Sequence, residues 1–131
     1  SLDGGAMQAR SRYMESILRD KSYNFALRVV KLVQYLRRDK REYVLSKQVL
    51  RSGTAIGALV YEAEFAQSKL DFVNKLSIGL KEANETCYWL KLLHGGEYIS
   101  QSEFNSIQPE AKELIKLLVS SIKTAKESIK A

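Results

Sequence analysis

The residues of this sequence that are best suited to chemistry are lysines and arginines, whose charges could neutralise phosphate groups. At about 100° per residue, the lysines of the last helical stretch fall within an arc of about 80°, opposite its apolar side. They are Lys112, Lys116, Lys123, Lys126 and Lys130. A second basic group, around the end of the first helical stretch, comprises Arg28, Lys31, Arg37, Arg38, Lys40 and Arg41. Both groups could bind a nucleic-acid backbone without reading its sequence.

The charge balance of the whole chain permits an anionic partner. The 131 residues include 21 Lys and Arg against 15 Asp and Glu, which gives a net charge of +6. Such a chain can bind nucleic acid or a membrane surface, although many basic proteins bind neither. No RNP, zinc-finger or KH motif is present, so base-specific recognition is not expected. The alternative is that each basic group is only a solvated face, and Glu113 and Glu127 flank the last lysines.

Residues that could support catalysis are few. The one histidine, His94, lies at a predicted helix end, and the one cysteine, Cys87, occupies a core position. The sequence contains no Glu-x-x-His pair for a di-iron bundle and no glycine-rich phosphate loop. Glu62, Glu82 and Glu85 could be tested for metal, but carboxylates at this spacing are common on ordinary helices. We therefore expect a non-enzymatic protein without a metal or another cofactor.

The sequence predicts an all-α fold, an antiparallel up-down-up-down bundle of four helices. Apolar residues recur at helical spacing at about 22–38, 44–66, 68–94 and 109–129. The connections between these stretches are short, which favours antiparallel neighbours. The third and fourth stretches have the clearest core sides, formed by Val73, Leu76, Leu80, Ala83, Cys87 and Leu90, and by Leu114, Leu118, Ser121, Ile122, Ala125 and Ile129.

Local signals indicate where the predicted helices begin and end. Ser22 is a suitable N-cap for the first helix, and Ser68-x-x-Asp71 resembles a capping box that opens the third. Gly95-Gly96 is expected to end the third helix. Pro109 is expected in the first turn of the last helix, after a separate short helical turn.

The second helix is rich in small residues at 52–58. Each glycine there should destabilise the helix by about 1 kcal/mol relative to alanine. Close approach of a neighbouring backbone is the usual compensation, and we expect it here.

Residues 22–131 are expected to form one domain. Residues 1–21 are interpreted as vector-derived residues before Met7 followed by a flexible N-terminal arm. No apolar stretch reaches the roughly 20 residues that a membrane span requires, so no membrane association is expected. A single cysteine cannot form an internal disulfide, which favours the reducing cytoplasm.

The third helix has a second, partly apolar side opposite its core. Ile78, Glu82, Glu85, Trp89 and Leu92 lie there, within an arc of about 80°. We predict an oligomer interface, to which Arg51, Ala58 and Glu62 of the second helix would contribute, with basic side chains pairing to the glutamates across subunits. The alternative is that the tryptophan packs against the following loop or the N-terminal arm.

Four segments, at 48–58, 62–63, 71–76 and 81–93, resemble a known protein family. The last contains Glu-Ala-x-Glu-Thr-x-Tyr-Trp-Leu, the most specific part. The sequence is similar, over about Tyr23 to Lys126, to four-helix-bundle proteins encoded within intervening sequences of bacterial large-subunit ribosomal RNA. That family is in turn similar to the accessory variability proteins of diversity-generating retroelements. Leu59 and Ala63 depart from the family pattern, which usually has Asn and Gly near these positions.

The resemblance implies a bacterial homopentamer that binds nucleic acid, with a reverse transcriptase or another protein as a further partner. The leading hypothesis from the sequence is therefore a basic homo-oligomer that binds RNA or DNA backbones without strong sequence specificity. An oligomeric adaptor that recruits an acidic protein partner is the alternative.

Overall fold

The computed structural model describes residues 2–130, with side chains from residue 4 onward. Four helices occur in this range: α1 (Leu2–Asp39), α2 (Leu45–Glu64), α3 (Lys69–Gly95) and α4 (Gln101–Lys130). No strand is present between residues 2 and 130, which confirms the predicted all-α class. None of the helices in the described chain is both long and apolar enough to cross a membrane.

The helices form a ring in which each contacts its two neighbours, α1 next to α2, α2 to α3, α3 to α4 and α4 to α1. Along α2 and α3 the contacts run in opposite directions: Ser52 meets Thr86, and Leu59 meets Gly79. Neighbours are therefore antiparallel, as in an up-down-up-down bundle. The same reversal occurs between the other neighbours. Between α1 and α2, Arg37 contacts Ser46 and Ser22 contacts Gly57. Between α3 and α4, Cys87 contacts Gln108 and Lys69 contacts Ser128, and between α1 and α4, Arg28 contacts Ser106 and Lys21 contacts Glu113.

The core lies along the centre of the ring. Its largest fully buried side chains include Phe25, Leu36, Ile56, Leu76, Leu90, Leu114 and Leu118. Burying each such side chain stabilises the fold by about 1.5–3 kcal/mol before the entropy of ordering it is counted. Ile129, predicted as a core residue, is instead 46% exposed. It lies in the last turn of α4, next to the point where Lys69 of α3 contacts Ser128 and α3 begins.

Helix α1 begins at Leu2, so the predicted start near Ser22 is wrong. Residues 7–21 contain neither glycine nor proline, and nothing in them stops a helix. Leu18 is buried in the core, and the Ser22 hydroxyl donates to the Arg19 carbonyl instead of capping a helix. The helix thus crosses the boundary predicted between the N-terminal arm and the bundle.

Helix α4 begins at Gln101, eight residues before the predicted start at Pro109. A reciprocal capping box opens it: the Glu103 amide donates to the Ser100 hydroxyl, and the Ser100 amide donates to the Glu103 carboxylate, both at 3.1 Å. The predicted separate turn is therefore the first part of α4. Pro109 lies inside the helix, where one backbone hydrogen bond is absent because proline has no N–H.

Helix α3 begins and ends where predicted, but the residue that terminates it is a different one. The Ser68 hydroxyl accepts from the Asp71 amide at 3.0 Å, which confirms the N-cap. At the other end the Tyr98 amide donates to the Leu93 carbonyl at 2.9 Å, in a Schellman arrangement. The left-handed residue of this motif is Glu97, with φ of 67°, and neither glycine before it has a positive φ. The prediction that Gly95-Gly96 supplies the stop is therefore wrong in its detail.

Close approach of α1 and α2 explains the glycines of the second helix. A Cβ added at Gly53 would lie 2.8 Å from a methyl carbon of Val29, which is fully buried. A Cβ added at Gly57 would lie 3.2 Å from the Ser22 carbonyl oxygen. The expected backbone approach is confirmed, since the absent side chains let α1 sit directly on α2.

Two buried mid-helix glycines should respond oppositely to alanine. In Gly53→Ala the new methyl group overlaps Val29, and the overpacking cost of about 1–3 kcal/mol should exceed the helix-propensity gain of about 1 kcal/mol. In Gly79→Ala the nearest atoms lie at 3.7 and 3.8 Å, ordinary contact distances, so the propensity gain should remain. Urea denaturation should show a loss for the first variant and a gain for the second. Equal effects would contradict the packing difference.

Replacing Glu97 by glycine should stabilise the fold. Relief of the left-handed conformation contributes about 1–2 kcal/mol, partly offset by about 0.4–1 kcal/mol from the greater freedom of glycine in the unfolded chain. We expect a net gain of about 0.5–1 kcal/mol in thermal or urea denaturation. Glu97→Gln, which removes the charge and keeps the conformation, is the control and should change stability little. A similar gain in both variants would assign the effect to charge.

Candidate nucleic-acid interface

The five predicted lysines of α4 lie on the outside of the bundle. Leu114 and Leu118 turn the apolar side of α4 into the core, which leaves the opposite side in solvent. Lys112, Lys116, Lys123, Lys126 and Lys130 are all exposed. None of these five forms an ion pair with a carboxylate of residues 4–130. At 1.5 Å per residue the row is about 27 Å long. We call it the lysine face.

The carboxylates beside the lysine face are partly compensated from α1. Glu113 pairs with Lys21 at 2.7 Å, and this hydrogen bond and charge raise the pKa of Lys21. Glu110, one turn earlier, pairs with Arg28. Glu113 therefore lowers the positive charge of the lysine face less than the sequence indicated. Glu127, the second flanking glutamate, is exposed.

Two arginines of the second basic group, Arg28 and Arg37, are engaged with other helices. Besides its pairing to Glu110, Arg28 donates to the carbonyl oxygen of Ser106 at 3.1 Å and to its hydroxyl at 3.0 Å. Arg37 donates to the Ser46 hydroxyl at 3.3 Å. Arg28 thus connects α1 to α4, and Arg37 connects α1 to α2. Both side chains stabilise the packing of the helices.

The remaining members of this group are more accessible. Arg38 pairs at 3.3 Å with its neighbour Asp39, at a side-chain exposure of 76%. Lys31 and Lys40 are exposed and form no ion pair with residues that the structure describes. Arg41 is exposed in the α1–α2 connection, with φ of 54°. Within the predicted phosphate-binding set, Arg28 and Arg37 are thus committed to contacts between helices, whereas the lysines, Arg38 and Arg41 are accessible.

Arg51 lies between two glutamates of α3. Its guanidinium donates to Glu82 at 2.8 Å and also to Glu85. The Trp89 indole N–H donates to the same Glu85 oxygen at 3.1 Å. The predicted pairing of basic side chains with these glutamates across subunits is therefore replaced by pairing within one chain. The reason is that antiparallel packing puts Arg51 directly opposite two successive turns of α3.

Apolar side chains surround this charge cluster, as the sequence predicted. Ile78 is 41% exposed and Leu92 is 38% exposed. Trp89 is half-buried against the core and lies edge-on to Tyr88, with ring centroids 5.2 Å apart. Ala58 and Glu62 of α2 are exposed beside them. We call this surface, on α2 and α3, the α2–α3 face.

The histidine and the cysteine lie close to α4. The His94 ring stacks on Phe104, with centroids 4.6 Å apart, a contact that sequence periodicity could not indicate. Burial raises the pKa of the Cys87 thiol, and the nearby Lys112 opposes this shift. Among residues 4–130, no group of three or more His, Cys, Asp or Glu side chains is arranged to hold a metal ion.

A separate cleft of about 710 Å³ lies at the other end of the bundle. The N-terminal part of α1 covers it, opposite the α2–α3 connection. Burial raises the pKa of Glu15 in this cleft, and the charge of Glu64 adds to the shift. None of the residues predicted to bind nucleic acid or a second subunit lines it.

Comparisons with known proteins agree with the architecture. The chain is similar to a protein of unknown function from the S23 ribosomal protein family of Bacteroides thetaiotaomicron VPI-5482, whose crystal structure was determined at 1.70 Å resolution. The sequences are 53% identical, the match covers 84% of this chain and 98% of that chain, and the TM-score is 0.83. No curated protein matches the chain. A family model matches residues 14–120, and the chain belongs to the 23S rRNA-intervening sequence protein family.

Proposed function

We propose that this protein is a non-enzymatic, basic homopentamer that binds RNA or DNA backbones in the bacterial cytoplasm, without strong sequence specificity. The observation that carries the proposal is the lysine face of α4: exposed ammonium groups in a row about 27 Å long that form no ion pair within the described chain. The family is named for 23S rRNA, which makes RNA the first ligand to test.

Lysine chemistry supports binding without base recognition. An ammonium group is a compact point charge on a flexible stem, whereas base recognition in a groove usually requires the rigid fork of arginine or an amide. Here the arginine best placed near α4, Arg28, is occupied by Glu110 and Ser106. The accessible charge is therefore suited to phosphates, and each phosphate neutralised releases counterions.

Self-association would multiply these contacts. A ring of identical subunits repeats the lysine face, and linked sites bind a long polymer more tightly than one site does. The α2–α3 face supports such an assembly, because its exposed isoleucine and leucine and its half-buried tryptophan surround charges that are already paired. The subunit number of five rests on the resemblance to accessory variability proteins, and a reverse transcriptase remains a further candidate partner.

Removing charge from the lysine face should weaken nucleic-acid binding and reduce its salt dependence. In Lys112→Gln/Lys116→Gln/Lys123→Gln, the slope of log K against log salt should fall by up to about 0.7–0.9 per lost phosphate contact. Fluorescence anisotropy with a structured RNA and a duplex DNA, between low and moderate salt, measures both quantities. The control is Arg28→Gln/Glu110→Gln, which removes a pair without changing the net charge and should leave the slope unchanged.

Two outcomes would contradict this function. Absence of binding to either nucleic acid at low salt, by a protein of verified oligomeric mass, would exclude phosphate recognition and favour an adaptor for an acidic protein. Equal losses in the lysine variant and the control would show that the lysine face is not the binding surface.

Truncating the tryptophan of the α2–α3 face should impair assembly. Trp89→Ala removes the largest apolar side chain of the predicted interface, and buried aromatic residues commonly contribute 2 kcal/mol or more, on the order of 30-fold in affinity, to association. Light scattering should show a smaller mass at micromolar concentration. Tyr23→Ala, on the outer side of α1 and 63% exposed, is the control and should retain the wild-type mass. An unchanged mass in Trp89→Ala would count against this interface.

A further inference from the structure

The stacked rings of His94 and Phe104 lie between two clefts that contain lysines. The ring planes differ by only 15°. Phe104 lines a cleft of about 700 Å³ along α4, together with Lys112 and Lys116 of the lysine face. His94 lines a cleft of about 520 Å³ beside the α3–α4 connection, together with Lys40 and the carboxylates Glu97 and Glu103. The aromatic pair therefore borders the lysine face on the side of Phe104.

This position suits the pair to accept another ring. Both side chains are only partly buried, and each lines a cleft that is open to solvent. Every nucleobase has a flat π face, and stacking of one base on a protein aromatic contributes about 1–3 kcal/mol with little dependence on sequence. An alternation of positive charge and aromatic surface is the arrangement by which proteins hold unpaired nucleic acid.

The cleft along α4 also contains a hydrogen-bond acceptor without a partner. Gln108 is 6% exposed, and its Nε2 donates to the Cys87 carbonyl at 3.5 Å. Its Oε1 accepts no hydrogen bond from the residues that the structure describes. An unsatisfied buried acceptor destabilises a fold by about 1–3 kcal/mol. The N–H of a base that enters the cleft beside Phe104 would supply the missing donor once the amide turns its buried oxygen toward the cleft.

We propose that the ligand of this surface is a single-stranded polynucleotide. Its phosphates contact Lys112 and Lys116, and one unpaired base stacks on the His94–Phe104 pair and donates to Gln108. This inference rests on the function proposed above and narrows it from nucleic acid in general to unpaired RNA or DNA. In a duplex the bases already stack on one another and are not free to stack on the His94–Phe104 pair.

The test compares single strands with a duplex. Two probes are fluorescein-labelled oligouridylate and oligothymidylate of about 12 nucleotides, a length that single-strand sites cover. The third is a duplex in which each strand has the same number of phosphates as these probes. Phe104→Leu keeps an apolar side chain but removes the aromatic face. We expect its affinity for both single strands to fall by roughly tenfold, with unchanged salt dependence and unchanged duplex affinity. Lys116→Gln, the matched control, should weaken binding to all three probes and reduce their salt dependence.

A second variant reports on stacking directly. In Phe104→Trp, emission from the introduced indole should be quenched by the single strands and not by the duplex. Circular dichroism melting of each variant verifies that the bundle is folded. If the RNA strand binds more tightly than the DNA strand, the proposal is supported and the 2′-hydroxyl contributes to binding. If the two strands bind equally, the proposal is supported and only the phosphates and the base contribute.

The inference and the proposed function fail in distinguishable ways. If Phe104→Leu binds single strands as the wild type does while Lys116→Gln binds them weakly, the single-strand inference is overturned and phosphate recognition stands. Wild-type binding to the duplex as tight as to the single strands, with no quenching in Phe104→Trp, would also overturn it. Absence of binding to all three probes at low salt would overturn both.

Discussion

The position of α2 is fixed by close contacts on two sides, and the rest of the bundle depends on it. On one side Gly53 and Gly57 let the backbone of α1 approach so closely that a single added carbon at Gly53 would overlap Val29. On the other side the buried hydroxyls of Ser52 and Thr86 share a hydrogen bond of 2.9 Å. A helix that can neither slide nor rotate against its neighbours determines their register, because interiors are close-packed.

One consequence of this register is the internal pairing of charge on the α2–α3 face. Arg51 faces Glu82 and Glu85, whose side chains are only 14% and 33% exposed. Burying an unpaired charge in an interface is costly, whereas a pair that is already hydrogen-bonded loses less on desolvation. A face with paired charges and an exposed apolar rim is therefore better suited to self-association than the sequence alone suggested.

The same antiparallel packing separates the basic residues into two classes. Basic residues of α1 that contact α4 lie next to carboxylates: Arg28 pairs with Glu110, and Lys21 pairs with Glu113. The lysines of α4 are exposed and reach no carboxylate of the described chain. One outer face of the bundle thus keeps five lysines available to a partner. Two of these lysines, Lys112 and Lys116, line the cleft beside the stacked rings of His94 and Phe104.

The sequence by itself determined the helical class, the core sides and the N-cap at Ser68, because these depend on periodicity and on residues three or four positions apart. It also contained the signal for the true start of α4, Ser100-x-x-Glu103, which Pro109 obscured. Only the tertiary structure decided that Glu97 and not a glycine adopts the left-handed position. It alone decided that Arg28 and Arg51 are paired within the chain and that His94 stacks on Phe104. These outcomes depend on which helices are neighbours and in what register, and that information is absent from any single helical stretch.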